Sequence, residues 1–197
     1  MTIGNMAKST GRSAAEIVKR YEPGEKAKEL LRDGMTPAQY VQSLAAEKQW
    51  TEAIKFVAHA LPKREAVGWA LACAREAAGA APPPKEAGAL GAVEAWLRDP
   101  SEENRRSAQA AYESAELKTP AGCAAFAAFV SGGSLGPPTA PVVPPGEWLT
   151  AHATGGAVVL SAVVVEPEKA EQKFQKFLQT GLEVADGQEP WKTPARR

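Results

Sequence analysis

Apolar residues recur along this chain at intervals that suit one face of a helix. Between Pro37 and Lys48, Tyr40, Val41, Leu44 and Ala45 fall at i, i+1, i+4 and i+5, which aligns them on one side. Ile54, Val57, Ala58 and Leu61 repeat the pattern, so residues 51–61 are expected to pair with the preceding segment as a helical hairpin. From Pro62 to Ala78 the apolar arc widens: Val67, Ala70, Leu71 and Ala74 occupy one face and Ala66, Trp69 and Cys73 the next. A helix apolar around most of its circumference belongs in the centre of a fold. Leu90, Val93 and Leu97 with Trp96 mark a helix over 85–98, and Ala108, Ala111, Tyr112 and Ala115 mark its partner over 100–117. Residues 120–130 are nearly all Ala and Phe, a second central helix. Ala170, Phe174, Phe177, Leu178 and Leu182 put a closing amphipathic helix over 167–185. Shorter helices are expected over 14–21 and 25–32, ended by Pro23-Gly24 and Gly34.

Proline punctuates these segments. Pro37, Pro62, Pro100, Pro120 and Pro167 sit where first turns begin, a position whose N–H would be unpaired in any case. Thr36, Asp99 and Thr119 precede three of them as expected caps, with Gln39 and Glu102 placed to complete capping boxes. Residues 79–84 form an internal linker and 136–146 a proline-rich, extended crossover. The apolar run 155–165 is ambiguous locally, because Val158, Val159, Val163, Val164 and Val165 favour a strand. A helix is expected there, since a single strand in a helical chain has nothing to pair with.

The expected architecture is all-α: one domain over 12–186, built as an irregular bundle of helical hairpins, with a short α-solenoid as the alternative. Residues 1–11 are expected to be disordered and 187–197 to form a flexible tail. Alanine, about a fifth of the 197 residues, suits closely packed helices.

Charge and candidate chemistry narrow the picture further. Lys and Arg total 23 and Asp and Glu total 23, so the general electrostatic footprint of a nucleic-acid binder is missing. The first residues carry no apolar leader and no run approaches a membrane span, so the chain reads as cytoplasmic, without membrane insertion. His59, Cys73, Cys123 and His152 lack the close spacing of metal ligands, and neither thiol sits in the electropositive setting of a nucleophile. No catalytic set, cofactor or metal is assigned. Ser131-Gly132-Gly133-Ser134 follows a helix and reads as its terminator rather than a phosphate loop. Arg105-Arg106 lacks an aromatic platform for bases, and the two PxxP stretches over 138–144 read as connector. Arg64, Glu65, Trp69 and Arg75 on the first central helix, with His152, are the candidate interaction or polar-pocket residues. Any site is expected at the polar ends of the two central helices.

Two segments carry a resemblance. Leu61-Pro62-Lys63-Arg64-Glu65-Ala66-Val67-Gly68-Trp69-Ala70-Leu71-Ala72-Cys73-Ala74-Arg75 and Thr119-Pro120-Ala121-Gly122-Cys123-Ala124-Ala125-Phe126-Ala127-Ala128-Phe129-Val130-Ser131-Gly132-Gly133-Ser134 resemble an uncharacterised family of bacterial all-helical proteins, over roughly residues 37–185. The resemblance implies a helical fold and gene neighbourhoods of contractile secretion machinery such as type VI systems; it brings no catalytic residues. The expected function is a non-catalytic protein–protein interaction module, an adaptor, chaperone or scaffold component with a protein partner. A small ligand-binding protein or enzyme with a site of scattered polar residues is one alternative. An immunity-type protein that occludes a toxin is the other.

Overall fold

The computed structural model describes residues 1–137 and 139–192, and every regular element among them is helical. In chain order these are α1 (Ala14–Val18), α2 (Glu25–Leu30), α3 (Pro37–Ala46), α4 (Trp50–Ala60), α5 (Lys63–Ala78), α6 (Pro84–Arg98), α7 (Glu102–Ala115), α8 (Pro120–Phe129), α9 (Leu149–Val163) and α10 (Ala170–Ala185), with single 3₁₀ turns at Pro167–Lys169 and Pro190–Lys192. Thr36 caps α3 through a complete capping box with Gln39. Thr119 accepts from the Gly122 N–H at the start of α8. At α7 the cap is Ser101, not Asp99. Asp99 is instead taken up as the C-cap of α6, its N–H bonded to the Ala95 carbonyl, and it accepts from the Asn104 side chain. The run 155–165 is helical through Val163, as expected.

Packing decides between bundle and solenoid. A solenoid's elements touch only their sequence neighbours, whereas here α5 packs on α6, α8, α9 and α10, and α9 reaches back to α4. The fold is a bundle. Its centre contains α5 and α8, the two expected core helices, and adds α9, which lies against both. Trp69 of α5 is wholly buried and donates its indole N–H to the Phe177 carbonyl at 2.8 Å. It fits because Gly181 of α10 has no side chain; a Cβ there would come within 2.6 Å of the indole.

Both chain ends are more ordered than their composition suggests. The expected disorder of residues 1–11 does not describe Met6, which is 2% exposed. Lys8 and Thr10 donate backbone N–H bonds to the carbonyls of Ala185 and Ala60, the last residues of α10 and α4. Helix C-termini leave such carbonyls unpaired, and a polar, small-residue segment can satisfy them. The expected tail likewise starts too early at 187: Trp191 is 5% exposed and lies over Gly68 of α5, where a Cβ would approach its ring to 2.4 Å. Residues 193–197 of that expected tail lie outside the described residues. The 136–146 crossover doubles back rather than running straight, with the Leu135 N–H bonded to the Val143 carbonyl at 2.8 Å. Pro138 of its first PxxP stretch lies outside the described residues.

Candidate functional site

Four of the five candidate residues turn out to brace the fold. Arg64 donates to the Leu97 carbonyl at 2.7 Å and pairs with Glu189; Glu65 pairs with Lys8. Arg75 donates to the Trp191 carbonyl at 2.9 Å and pairs with Glu94 at 2.7 Å. With Trp69 in the core, these side chains fasten both chain ends and α6 to α5. Arg105 is similar: 3% exposed, it pairs with Glu102, stacks on Phe129 and donates to the carbonyls of Phe129 and Ser134. It thereby holds the 131–134 turn that ends α8, with Gly133 at φ 65.

His152 is the exception. It lies on the exposed side of α9, facing a cleft of about 600 Å³ whose walls are α4, α9 and the turn after α1. Lys55 and His59 of α4, Tyr21 and Glu22 after α1, and Ala151, Gly155, Gly156 and Val159 of α9 line it with His152. The floor is low because α9 carries two glycines. Gly155 faces α4, where a Cβ would rest 3.9 Å from Ala58 and Lys55. Gly156 has nothing within 4 Å of a Cβ position, so packing does not require glycine there.

The end of the cleft is aromatic. The Tyr21 ring stacks on His59 with centroids 4.7 Å apart, His152 meets His59 edge-on at 4.6 Å, and Trp148 lies at 6.5 Å. Arg20 stands 4.6 Å over the Trp148 ring and donates to the His59 carbonyl at 2.7 Å, serving the end of α4. His59 is 1% exposed. Its Nδ1–H donates to the Lys55 carbonyl at 2.7 Å, which makes Nε2 the acceptor of a neutral ring. That Nε2 is buried without a partner, as are the Tyr21 hydroxyl and Thr154 Oγ1. Burial, above the neighbouring charges, pushes His59 down to about 4, so the imidazole stays neutral at physiological pH. Burial also pushes the Tyr21 hydroxyl well above its ordinary value, helped by Tyr40 and Glu52. Glu52, 8% exposed, is held by Lys55 and the Gly24 N–H.

The arrangement presents a neutral hydrogen-bond acceptor among aromatic rings. A neutral imidazole kept from protonation is a hydrogen-bond acceptor, and its neighbours are aromatic faces rather than a carboxylate that would orient it as a base. Of the four residues weighed as metal ligands, the two histidines meet and the two cysteines do not join them. Cys73 is buried in α5 and Cys123 half-buried in α8; burial raises both thiols. Among the described residues no three His, Cys, Asp or Glu side chains are grouped to hold a metal ion. No single helix among them is long and apolar enough to cross a membrane. This cleft lies between α4 and α9 and takes no lining residue from α5 or α8, at whose ends a site was expected. Tyr21 had no sequence signal as a site residue and His59 only its residue type, because their meeting with His152 depends on where α9 returns to α4.

No curated protein and no solved structure matches the chain significantly. The profile of a family of unknown function, DUF6931, matches residues 40–185, which contain all of α4 through α10 and all but the first three residues of α3. On that match, spanning well over half of its length, the chain belongs to this family of unknown function.

Proposed function

We propose that the protein is a non-catalytic helical interaction module that docks a protein partner along α9. One observation carries this reading: Val163, Val164 and Val165, at and just past the end of α9, are 37%, 50% and 44% exposed. Three adjacent apolar side chains left in water mark a contact surface more often than they mark packing. They also continue the line of the cleft, since His152, Gly156, Val159 and Val163 follow at helical spacing on one side of α9. An adaptor, chaperone or scaffold component fits this surface. A bacterial contractile secretion machinery is the setting that the sequence resemblance suggests for its partner.

The test is affinity capture from the native cell with the wild type and Val164→Glu in parallel. A partner retained by the wild type and lost by the variant, with helicity unchanged by circular dichroism, supports the reading. Identical captured sets, or a turnover activity in the isolated protein, would sink it.

A further inference from the structure

The cleft beside the valine edge asks for an occupant of definite chemistry. His59 Nε2 is an acceptor locked by the Nδ1–H bond to Lys55, and no side chain or backbone N–H satisfies it. Leaving such an atom unpaired in the interior costs free energy, so its natural complement is a donor. Its surroundings are aromatic, with Tyr21 stacked on His59 and His152 meeting His59 edge-on, a setting that favours a ring. Gly156 leaves open space on the floor, at a helical position where glycine is otherwise unfavourable. Lys55 is neutralised by Glu52 at 2.8 Å and Glu22 by Lys28, so nothing here selects a charged group.

We propose that this cleft receives an aromatic side chain bearing an N–H or O–H donor, a tryptophan or tyrosine of the protein partner, whose donor reaches His59 Nε2 as the ring lies over Gly156 toward Val159. His152, exposed and edge-on to His59, is the side chain that moves aside. Tyr and Trp are favoured as anchors of protein interfaces because they combine a large apolar face with one polar tip. The proposal rests on the interaction-module reading for the source of the ring, but its test does not need the partner.

N-acetyl-tryptophanamide, N-acetyl-tyrosinamide and the donorless N-acetyl-phenylalaninamide are titrated into the full chain and followed by ¹⁵N NMR of the histidine rings. The tryptophan or tyrosine probe is expected to move the His59 Nε2 resonance and to bind about tenfold tighter than the phenylalanine probe, the ratio for one hydrogen bond. His59→Phe, which keeps the stacked ring, removes that ratio. Gly156→Leu fills open space and abolishes probe binding while leaving the thermal midpoint intact. Equal affinities for the three probes, shifts confined to other residues, or no response at the probes' solubility limit overturn the proposal. In those cases a captured partner that depends on Val164 would still leave the interaction-module reading standing.

Discussion

His59 couples the site to acid stability. An unfolded histidine titrates near 6.5, while the buried ring holds its proton only below about 4. As pH falls through 6.5 the unfolded chain takes up a proton that the folded chain refuses, so stability present above pH 6.5 is lost progressively down to about pH 4. The loss is on the order of 3 kcal/mol if the whole shift is expressed. Glu102 acts in a separate window: hydrogen bonds from Arg105 hold it down to about 2, so its contribution is present above its ordinary 4.5 and lost below. Urea denaturation at pH 7, 5.5 and 4.5 should therefore show a steep decline for the wild type and a flatter one for His59→Phe. Equal slopes would show that His59 is protonated without cost. At this scale the sequence offered little of the site. His152 stood out as one of only two histidines, but nothing local says that Tyr21, more than a hundred residues away, lies one ring beyond it. Trp69 and Arg75 stood out for their types and proved to be spent within the fold, since a donor near an unpaired helix carbonyl is drawn to it before any partner arrives.

Helices were the most legible objects, because capping and apolar periodicity are local. Thr36, Thr119 and the broad apolar arc of residues 62–78 each named an element that the structure contains. The misreading at Asp99 is also local in cause: two cap-forming residues flank Pro100, and Asp99 closes α6 while Ser101 caps α7. What periodicity does not carry is how a helix end is finished from afar. The C-terminus of α8 is closed by Arg105 of α7, whose guanidinium serves Phe129 and Ser134 while stacked on the Phe129 ring. In sequence, Arg105-Arg106 shows only the lack of an aromatic platform for bases; in the fold Arg106 donates to the Gly136 carbonyl at 2.8 Å and anchors the start of the crossover. Arg105→Ala should destabilise by about 2–3 kcal/mol, through two abandoned carbonyls and lost stacking on Phe129. Arg106→Ala, exposed to more water, should cost about 1 kcal/mol or less. Thermal melts of the two variants check the order, and a reversal would mean that the buried guanidinium is not what ends α8.

The molecule as a whole is held shut at its ends. Adjacent residues at the start of α5 take one terminus each, Glu65 the Lys8 ammonium and Arg64 the Glu189 carboxylate. On the far side Asp186, just past α10, accepts the Met6 N–H at 2.8 Å, so the opening segment bridges the ends of α4, α5 and α10. The bonds from Met6 and Lys8 to Asp186 and Ala185 join residues about 180 positions apart, and a polar stretch such as Met1–Thr10 shows no periodicity by which a reader of the sequence would foresee them. The segment lies outside the family match at 40–185, yet it covers helix ends inside it. Deleting residues 1–10 removes one buried methionine, worth about 2 kcal/mol, and backbone bonds worth about 1 kcal/mol each, for a loss of about 3–5 kcal/mol. The exposed ion pair of Lys8 adds little to that sum. The shortened chain should keep its helicity at low temperature and unfold in one transition, because α5, α8 and α9 still share their core. Its urea midpoint should fall well below that of the full chain, with a slightly smaller slope as less surface is exposed on unfolding. An unchanged midpoint would mean that the opening segment rests on the bundle without stabilising it.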